Sequence, residues 1–204
     1  MTKIKICGLF RPEDADCVNE ALPDYIGFVF AESRRKVTPA RAAAIRQRLD
    51  GRIKTVGVFV DAASEDVGAL ANGGVIDVIQ LHGCEDAGYI KRLQLITDVP
   101  IIRAVRVLST EQILAAQHLP YDYLLLDAYH PHLAGGSGEC FDWALLPELE
   151  KPYFLAGGIH AENIRDALKL KPYAIDVSSG AETDGVKDRE KIIELVRIVR
   201  SVKI

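Results

Sequence analysis

Eight short apolar, β-branched runs alternate along this chain with segments of helical period, and that alternation restricts its fold more than any other feature. The runs occupy residues 4–7, 25–30, 53–59, 75–81, 101–107, 123–126, 153–155 and 174–177. Between them apolar residues stand three or four apart, as in Ile45 with Leu49, Ile164 with Leu168, and Ile192 with Val196 and Val199, the period of a one-faced helix. Start signals agree: Thr38 precedes Pro39, Ser109 and Gln112 have capping-box spacing, and Pro12 can open the first helix. Successive runs begin about 24 residues apart, room for a strand, a helix and short loops. Eight such units with right-handed crossovers close on themselves, whereas an open doubly wound sheet of this length usually has fewer strands. The expected architecture is an α/β fold, a (β/α)8 TIM barrel forming one domain over residues 1–204.

In such a barrel the functional groups sit at the C-terminal ends of the strands, and the loops after strands seven and eight commonly bind phosphate. Glycine-rich turns follow the last three runs here: Gly135-Gly136-Ser137-Gly138, Ala156-Gly157-Gly158 and Ser178-Ser179-Gly180. Glycine lets backbone N–H groups approach an anion closely, and the second and third turns lead into segments of helical pattern, whose N-termini carry partial positive charge. A single Gly-Gly pair is only a turn signal. Gly157-Gly158 and Ser179-Gly180 in the loops after strands seven and eight together point to a cradle for a phosphorylated small molecule.

Composition narrows the alternatives. Twenty-five basic and 29 acidic residues give a net charge of -4 without a Lys/Arg-rich run, so the electrostatic footprint of a nucleic-acid binder is missing. No apolar run reaches the roughly 18 residues of a membrane span, and the first residues enter a strand pattern rather than a signal peptide. A cytoplasmic protein is expected. The four cysteines, at 7, 17, 84 and 140, have no C-x-x-C pairing and are expected as reduced thiols.

Cys7 ends the first run and Asp127 follows the sixth, so both project toward the barrel mouth from different sides. A thiolate can act as base or nucleophile, and a carboxylate is costly to bury unless it is paired or used. Either could instead be structural, the cysteine as a small core residue and the aspartate as a loop brace. Arg34 and Arg35, after the second run, suit a carboxylate clamp. His82, ending the fourth, is placed to shape a pocket or to hydrogen-bond within the fold. His130 and His132 stand two apart in a Pro-containing loop with no third ligand nearby, so no metal is assigned; His118 and His160 receive no role.

With these pieces in order, the sequence resembles the phosphoribosylanthranilate isomerase family. The resemblance runs nearly end to end through Lys5-Ile6-Cys7-Gly8, Gly27-Phe28-Val29-Phe30 with Ser33-Arg34-Arg35, Gln80-Leu81-His82-Gly83, Leu125-Leu126-Asp127, Gly135-Gly136-Ser137-Gly138 before Phe141-Asp142-Trp143, Leu155-Ala156-Gly157-Gly158 with Asn163, and Asp176-Val177-Ser178-Ser179-Gly180. Two positions depart from the usual pattern, Ala181 where valine is more frequent and Ser137 where threonine is frequent. The resemblance implies a cofactor-free Amadori rearrangement of N-(5-phosphoribosyl)anthranilate to 1-(2-carboxyphenylamino)-1-deoxyribulose 5-phosphate in tryptophan biosynthesis. By similarity Asp127 is the general acid that opens the ribose ring and Cys7 the base that removes the C2 proton. Arg35, with Arg34 as fallback, would hold the anthranilate carboxylate. Substrate contacts are expected from His82, Gly136, Gly157, Gly158, Ser179 and Gly180.

Two rival readings keep the barrel. A related histidine-pathway or bifunctional isomerase would carry a carboxylate in place of Cys7, and a catalytically silent phospholigand-binding barrel would bind without turnover. The expected partner is a small phosphorylated substrate, and the expected state a monomer with a homodimer as the alternative.

Overall fold

Every one of the eight apolar runs is a strand of a closed, all-parallel barrel in the computed structural model, which describes residues 1–128 and 142–202. The strands are β1 (Lys3–Cys7), β2 (Tyr25–Val29), β3 (Lys54–Phe59), β4 (Val78–Leu81), β5 (Ile101–Val107), β6 (Tyr123–Ala128), β7 (Tyr153–Leu155) and β8 (Ala174–Val177). Each pairs with its sequence neighbour, and β8 returns to β1 with Lys5 opposite Asp176. Among the described residues seven α-helices cover the outside: α1 (Asp14–Ala21), α2 (Pro39–Arg46), α3 (Ser64–Asn72), α4 (Ala87–Ile96), α5 (Thr110–Ala116), α6 (Ile164–Lys169) and α7 (Arg189–Ser201). The start signals at Thr38 and Ser109 hold, with Thr38 Oγ1 accepting from the Arg41 N–H at 3.2 Å and Ser109 Oγ from that of Gln112 at 3.4 Å, whereas Pro12 stands in the turn before α1.

Strand alternation sorts the core into two layers. Ile4 and Ile6, Ile79 and Leu81, Leu124 and Leu126, and Ile175 and Val177 face outward against the helices, where α7 contributes Ile192, Leu195, Val196 and Val199. Tyr25, Val56, Val78, Ile102, Leu125 and Phe154 fill the barrel itself. Fully burying side chains of this size stabilises by about 1.5–3 kcal/mol each. At the N-terminal end the filling is aromatic: Phe154 meets Tyr25 and Tyr123 edge-on at 5.6 and 5.7 Å, and the Lys3 ammonium lies 4.8 Å from the Tyr173 ring centre. That plug leaves the C-terminal end of the barrel as the place for a cavity.

Several boundaries differ from those expected. The strand expected over 75–81 begins at Val78, because Asp77 turns its carboxylate onto Arg46 and the Thr55 N–H. β6 runs to Ala128, so Asp127 is a strand residue rather than a loop one and pairs in register with Arg106. The third glycine turn opens not an α-helix but the 3-10 turn Ser179–Ala181, followed by a small hairpin, β9 (Glu182–Thr183) and β10 (Val186–Lys187), before α7. After the second turn α6 starts only at Ile164, and between β6 and β7 the described residues hold a 3-10 turn, Trp143–Leu145, in place of an α-helix. Gly136 with its glycine-rich turn, His130, His132 and Cys140 lie outside the described residues.

Candidate active site

Cys7 and Asp127 are the uppermost inward-facing positions of β1 and β6 and His82 directly follows β4; each stands two residues above an inward-facing Lys5, Leu125 or Gln80, and this alternation aims all three into one space. The space is a cavity of about 190 Å³ at the C-terminal ends of the strands. Of the residues expected at the site, Cys7, Arg35, His82, Asp127, Gly157, Gly158 and Ser179 line it. Gly180 does not line it; it packs behind, where a Cβ would stand 2.1 Å from the Ile159 carbonyl oxygen.

Cys7 is 8% exposed. Burial pushes its thiol above the usual range, and the neighbouring Lys5 ammonium opposes that push. Lys5 is itself fully buried, its Nζ donating to Asp176 Oδ2 at 2.8 Å. Burial alone would lower the lysine's pKa, but the Asp176 charge and the Cys7 side chain outweigh it and raise the value, so Lys5 stays an ammonium. Two glycines make room for this arrangement. A Cβ on Gly27, opposite Cys7, would stand 2.6 Å from the sulfur, and one on Gly8 would stand 2.4 Å from Arg35 Cδ at a left-handed φ of 86°.

Across the cavity Asp127 Oδ2 lies 3.3 Å from His82 Nε2, and the amide nitrogen of the buried Gln80 lies 3.2 Å from His82 Nδ1. With the amide in that orientation the imidazole carries its proton on Nε2, the nitrogen beside Asp127. His82 therefore touches the other candidate group, a partnership that the sequence did not indicate. Arg106, the register partner of Asp127, also reaches the cavity.

Arg35 is buried and held by a two-pronged bond to Glu182, from Nε at 2.6 Å and Nη2 at 2.9 Å. Glu182 also accepts from Arg34 Nη2 and Lys187 Nζ, each at 2.7 Å. Burial would raise the Glu182 pKa, but Arg35 and Lys187 more than offset it and hold the carboxyl below the usual range. Lys187 is pushed down by its own burial, with Glu182 working against the push. Between the two arginines the geometry discriminates: Arg35 lines the cavity, whereas the Arg34 side chain is 57% exposed.

The turn after β7 has both glycines in the left-handed region, Gly157 at φ 83° and Gly158 at φ 63°. A Cβ on Gly157 would stand 2.4 Å from the Ala128 amide nitrogen, so the end of β6 packs where a side chain would go. Asn163 fastens this turn, donating to the Gly158 carbonyl and accepting from the His160 N–H, both at 2.9 Å. Ser178 Oγ donates to the Cys7 carbonyl at 3.3 Å, tying the β8 turn to the end of β1.

Sequence reasoning singled out Cys7, Asp127, Arg35 and His82 but gave no role to Lys5, Gln80, Asp176, Glu182 or Lys187. Two of these had a readable signal, since a lysine two residues before Cys7 and a glutamine two before His82 must face inward in otherwise apolar strands. Glu182 and Lys187 had none, because only the β9–β10 hairpin brings them to Arg35.

Comparison with known proteins finds relatives over nearly the whole chain. A family model described as N-(5'phosphoribosyl)anthranilate (PRA) isomerase matches residues 4–198. An N-(5'-phosphoribosyl)anthranilate isomerase from Endomicrobium trichonymphae is 49% identical over 203 residues, covering 99% of this chain and all of that one. Among solved structures, a phosphoribosyl anthranilate isomerase in complex with reduced 1-(o-carboxyphenylamino)-1-deoxyribulose 5-phosphate superposes with a TM-score of 0.83 at 29% identity, over 99% of this chain and 100% of that one. Monomers generated from the dimeric enzyme of Thermotoga maritima superpose with a TM-score of 0.84 at 30% identity, with the same coverage. The chain belongs to the N-(5'-phosphoribosyl)anthranilate isomerase family.

Proposed function

We propose that this chain performs the isomerisation for which its family is named, in tryptophan biosynthesis, and that Asp127 and Cys7 divide its two proton transfers. Protonated Asp127 gives its proton to the ribose ring oxygen of N-(5-phosphoribosyl)anthranilate, the C1–O bond breaks, and the anilino nitrogen closes the iminium. Cys7 then takes the proton from C2; the electrons flow into the C1–C2 bond and neutralise the nitrogen, and the resulting enolamine ketonises to the product. A positioned acid or base contributes about 10²–10⁴-fold to such a step. The observation that carries the reading is that Cys7 on β1 and Asp127 on β6 line a single cavity, which lets two groups act on one sugar from different sides.

The remaining parts of the substrate have matching surroundings. Arg35 borders the cavity, and its Nη1 takes no part in the fork to Glu182, leaving that nitrogen for the anthranilate carboxylate. Gly157, Gly158 and Ser179 line the same cavity with backbone suited to an anion, and we assign them, with Gly180 behind them and Gly136 in the preceding turn, to the 5-phosphate. This phosphorylated small molecule is the ligand the reading requires; a cytoplasmic location and a monomeric state belong to the same reading. Sedimentation at a mass of two chains would replace the monomer by a homodimer.

The test is the fluorescence decay of freshly generated phosphoribosylanthranilate. Wild type is expected to consume it, and Cys7→Ala and Asp127→Ala to be at least about a hundredfold slower with the fold retained. Near wild-type turnover in either variant removes that residue from the mechanism, and no turnover by wild type rejects the reaction.

A further inference from the structure

Lys5 lies two residues below Cys7 on the same inward face of β1, fully buried. Its register partner across the β1–β8 seam, Asp176, takes the ammonium on Oδ2, while Asp176 Oδ1 has no hydrogen-bond partner among the described residues. Desolvating a lysine this completely is costly, and an apolar side chain would fill the space without that cost, so the charge itself has a use.

The charges beside Cys7 do not balance while its sulfur is a thiol. Among the described residues three buried cations, Lys5, Lys187 and Arg35, are linked there to two buried carboxylates, Asp176 and Glu182. Arg34, the remaining partner of Glu182, is more than half exposed and is screened by solvent. From β2 the facing position is Gly27, which brings no charge. His82 and Asp127, half-buried, and Glu32 and Arg106, exposed, line the rest of the cavity wall outside this buried network. The buried network by itself therefore carries one surplus positive charge, and deprotonating Cys7 cancels it. Of the three cations, Lys5 is the one on the same inward face of β1, two residues below Cys7, and its charge is the largest that opposes the push of burial on the thiol.

We infer that Lys5 is a positioning residue for the base: its ammonium, oriented by Asp176, stabilises the thiolate form of Cys7 that accepts the C2 proton. The inference rests on the assignment of Cys7 as base. In the step itself the C2–H bond breaks, the S–H bond forms, and the ammonium ends beside a neutral thiol with its charge still met by Asp176.

The experiment measures the rate of Cys7 alkylation by iodoacetamide against pH, by intact mass, in a chain with Cys17, Cys84 and Cys140 replaced by serine. The double variant Lys5→Met with Asp176→Asn removes both charges without orphaning either. It is expected to move the half-rise of the alkylation rate up by about one pH unit or more, and to lower kcat with little change in KM. Asp176→Asn alone leaves Lys5 without its competing carboxylate and is expected to move the half-rise down. A role in packing alone cannot produce shifts of opposite sign. Unchanged half-rises in both variants overturn the inference and assign the surplus charge to the anions of the substrate. If the double variant does not fold, the direction in Asp176→Asn decides alone, an upward or absent shift rejecting the inference. Turnover by Cys7→Ala would reject the base assignment separately, since alkylation reads the thiol without reference to catalysis.

Discussion

Cys7 and Gly27 face each other across the β1–β2 seam so closely that a methyl group on the glycine would stand 2.6 Å from the thiol sulfur. The space over β2 is therefore reserved for the sulfur, and the glycine of the second strand serves the chemistry of the first.

Gly27→Ala should displace the sulfur. Overpacking of this kind costs about 1–3 kcal/mol, and the shifted sulfur should lower kcat while the substrate anchors, which are elsewhere, leave KM nearly unchanged. Thermal melting and steady-state kinetics on one preparation check both parts; an unaltered kcat means that the thiol tolerates displacement.

His82 Nε2 lies 3.3 Å from Asp127 Oδ2. A polar contact to a neutral carboxyl contributes about 0.5–1.5 kcal/mol, so His82→Ala should reduce kcat by up to about tenfold. A rise in KM with kcat intact would instead make His82 a contact to bound substrate rather than a partner of the acid.

The Gly180 hydrogen lies against the Ile159 carbonyl, where a Cβ would approach to 2.1 Å. Gly180→Ala must push apart the turns after β7 and β8. If those turns hold the phosphate, KM should rise more than kcat falls, and inhibition by inorganic phosphate should weaken in parallel. Unchanged phosphate inhibition in a folded variant would move the phosphate elsewhere.

Glu182 meets Arg34, Arg35 and Lys187 at once. Glu182→Gln leaves those cations unneutralised, and breaking a buried pair costs about 3–5 kcal/mol, or roughly 6 °C or more in Tm for a chain of this size. The pH dependence has a definite sign. Because the folded carboxyl lies below its ordinary value, its contribution is complete above the unfolded pKa of about 4.3 and is lost as the pH falls through the folded value. The Tm gap between wild type and variant should be widest near neutrality and close in acid; a gap that is constant with pH would place the loss in packing instead.

The fold was legible because its signal is local. Period-two and period-3.6 patterns repeat within each βα unit, and each strand pairs with the next, so the barrel follows from units readable one at a time. Boundaries slipped where a side chain outcompeted the ladder, as Asp77 did at the start of β4 by turning onto Arg46. The third turn misled in another way: Ser178-Ser179-Gly180 carries a helix-start signal but enters the β9–β10 hairpin, whose pairing brings Glu182 and Lys187 toward Arg35.

By itself the sequence determined the eightfold repeat, the strand ends at which Cys7, Asp127 and His82 stand, and the glycine turns after β7 and β8, because each depends on residues within one turn or strand. Only the tertiary structure decided which arginine borders the cavity, that His82 meets Asp127, and that Lys5 is paired with Asp176 171 residues away. Those contacts form across strand seams and at barrel closure, where the partners are distant in the chain and no local pattern encodes their meeting.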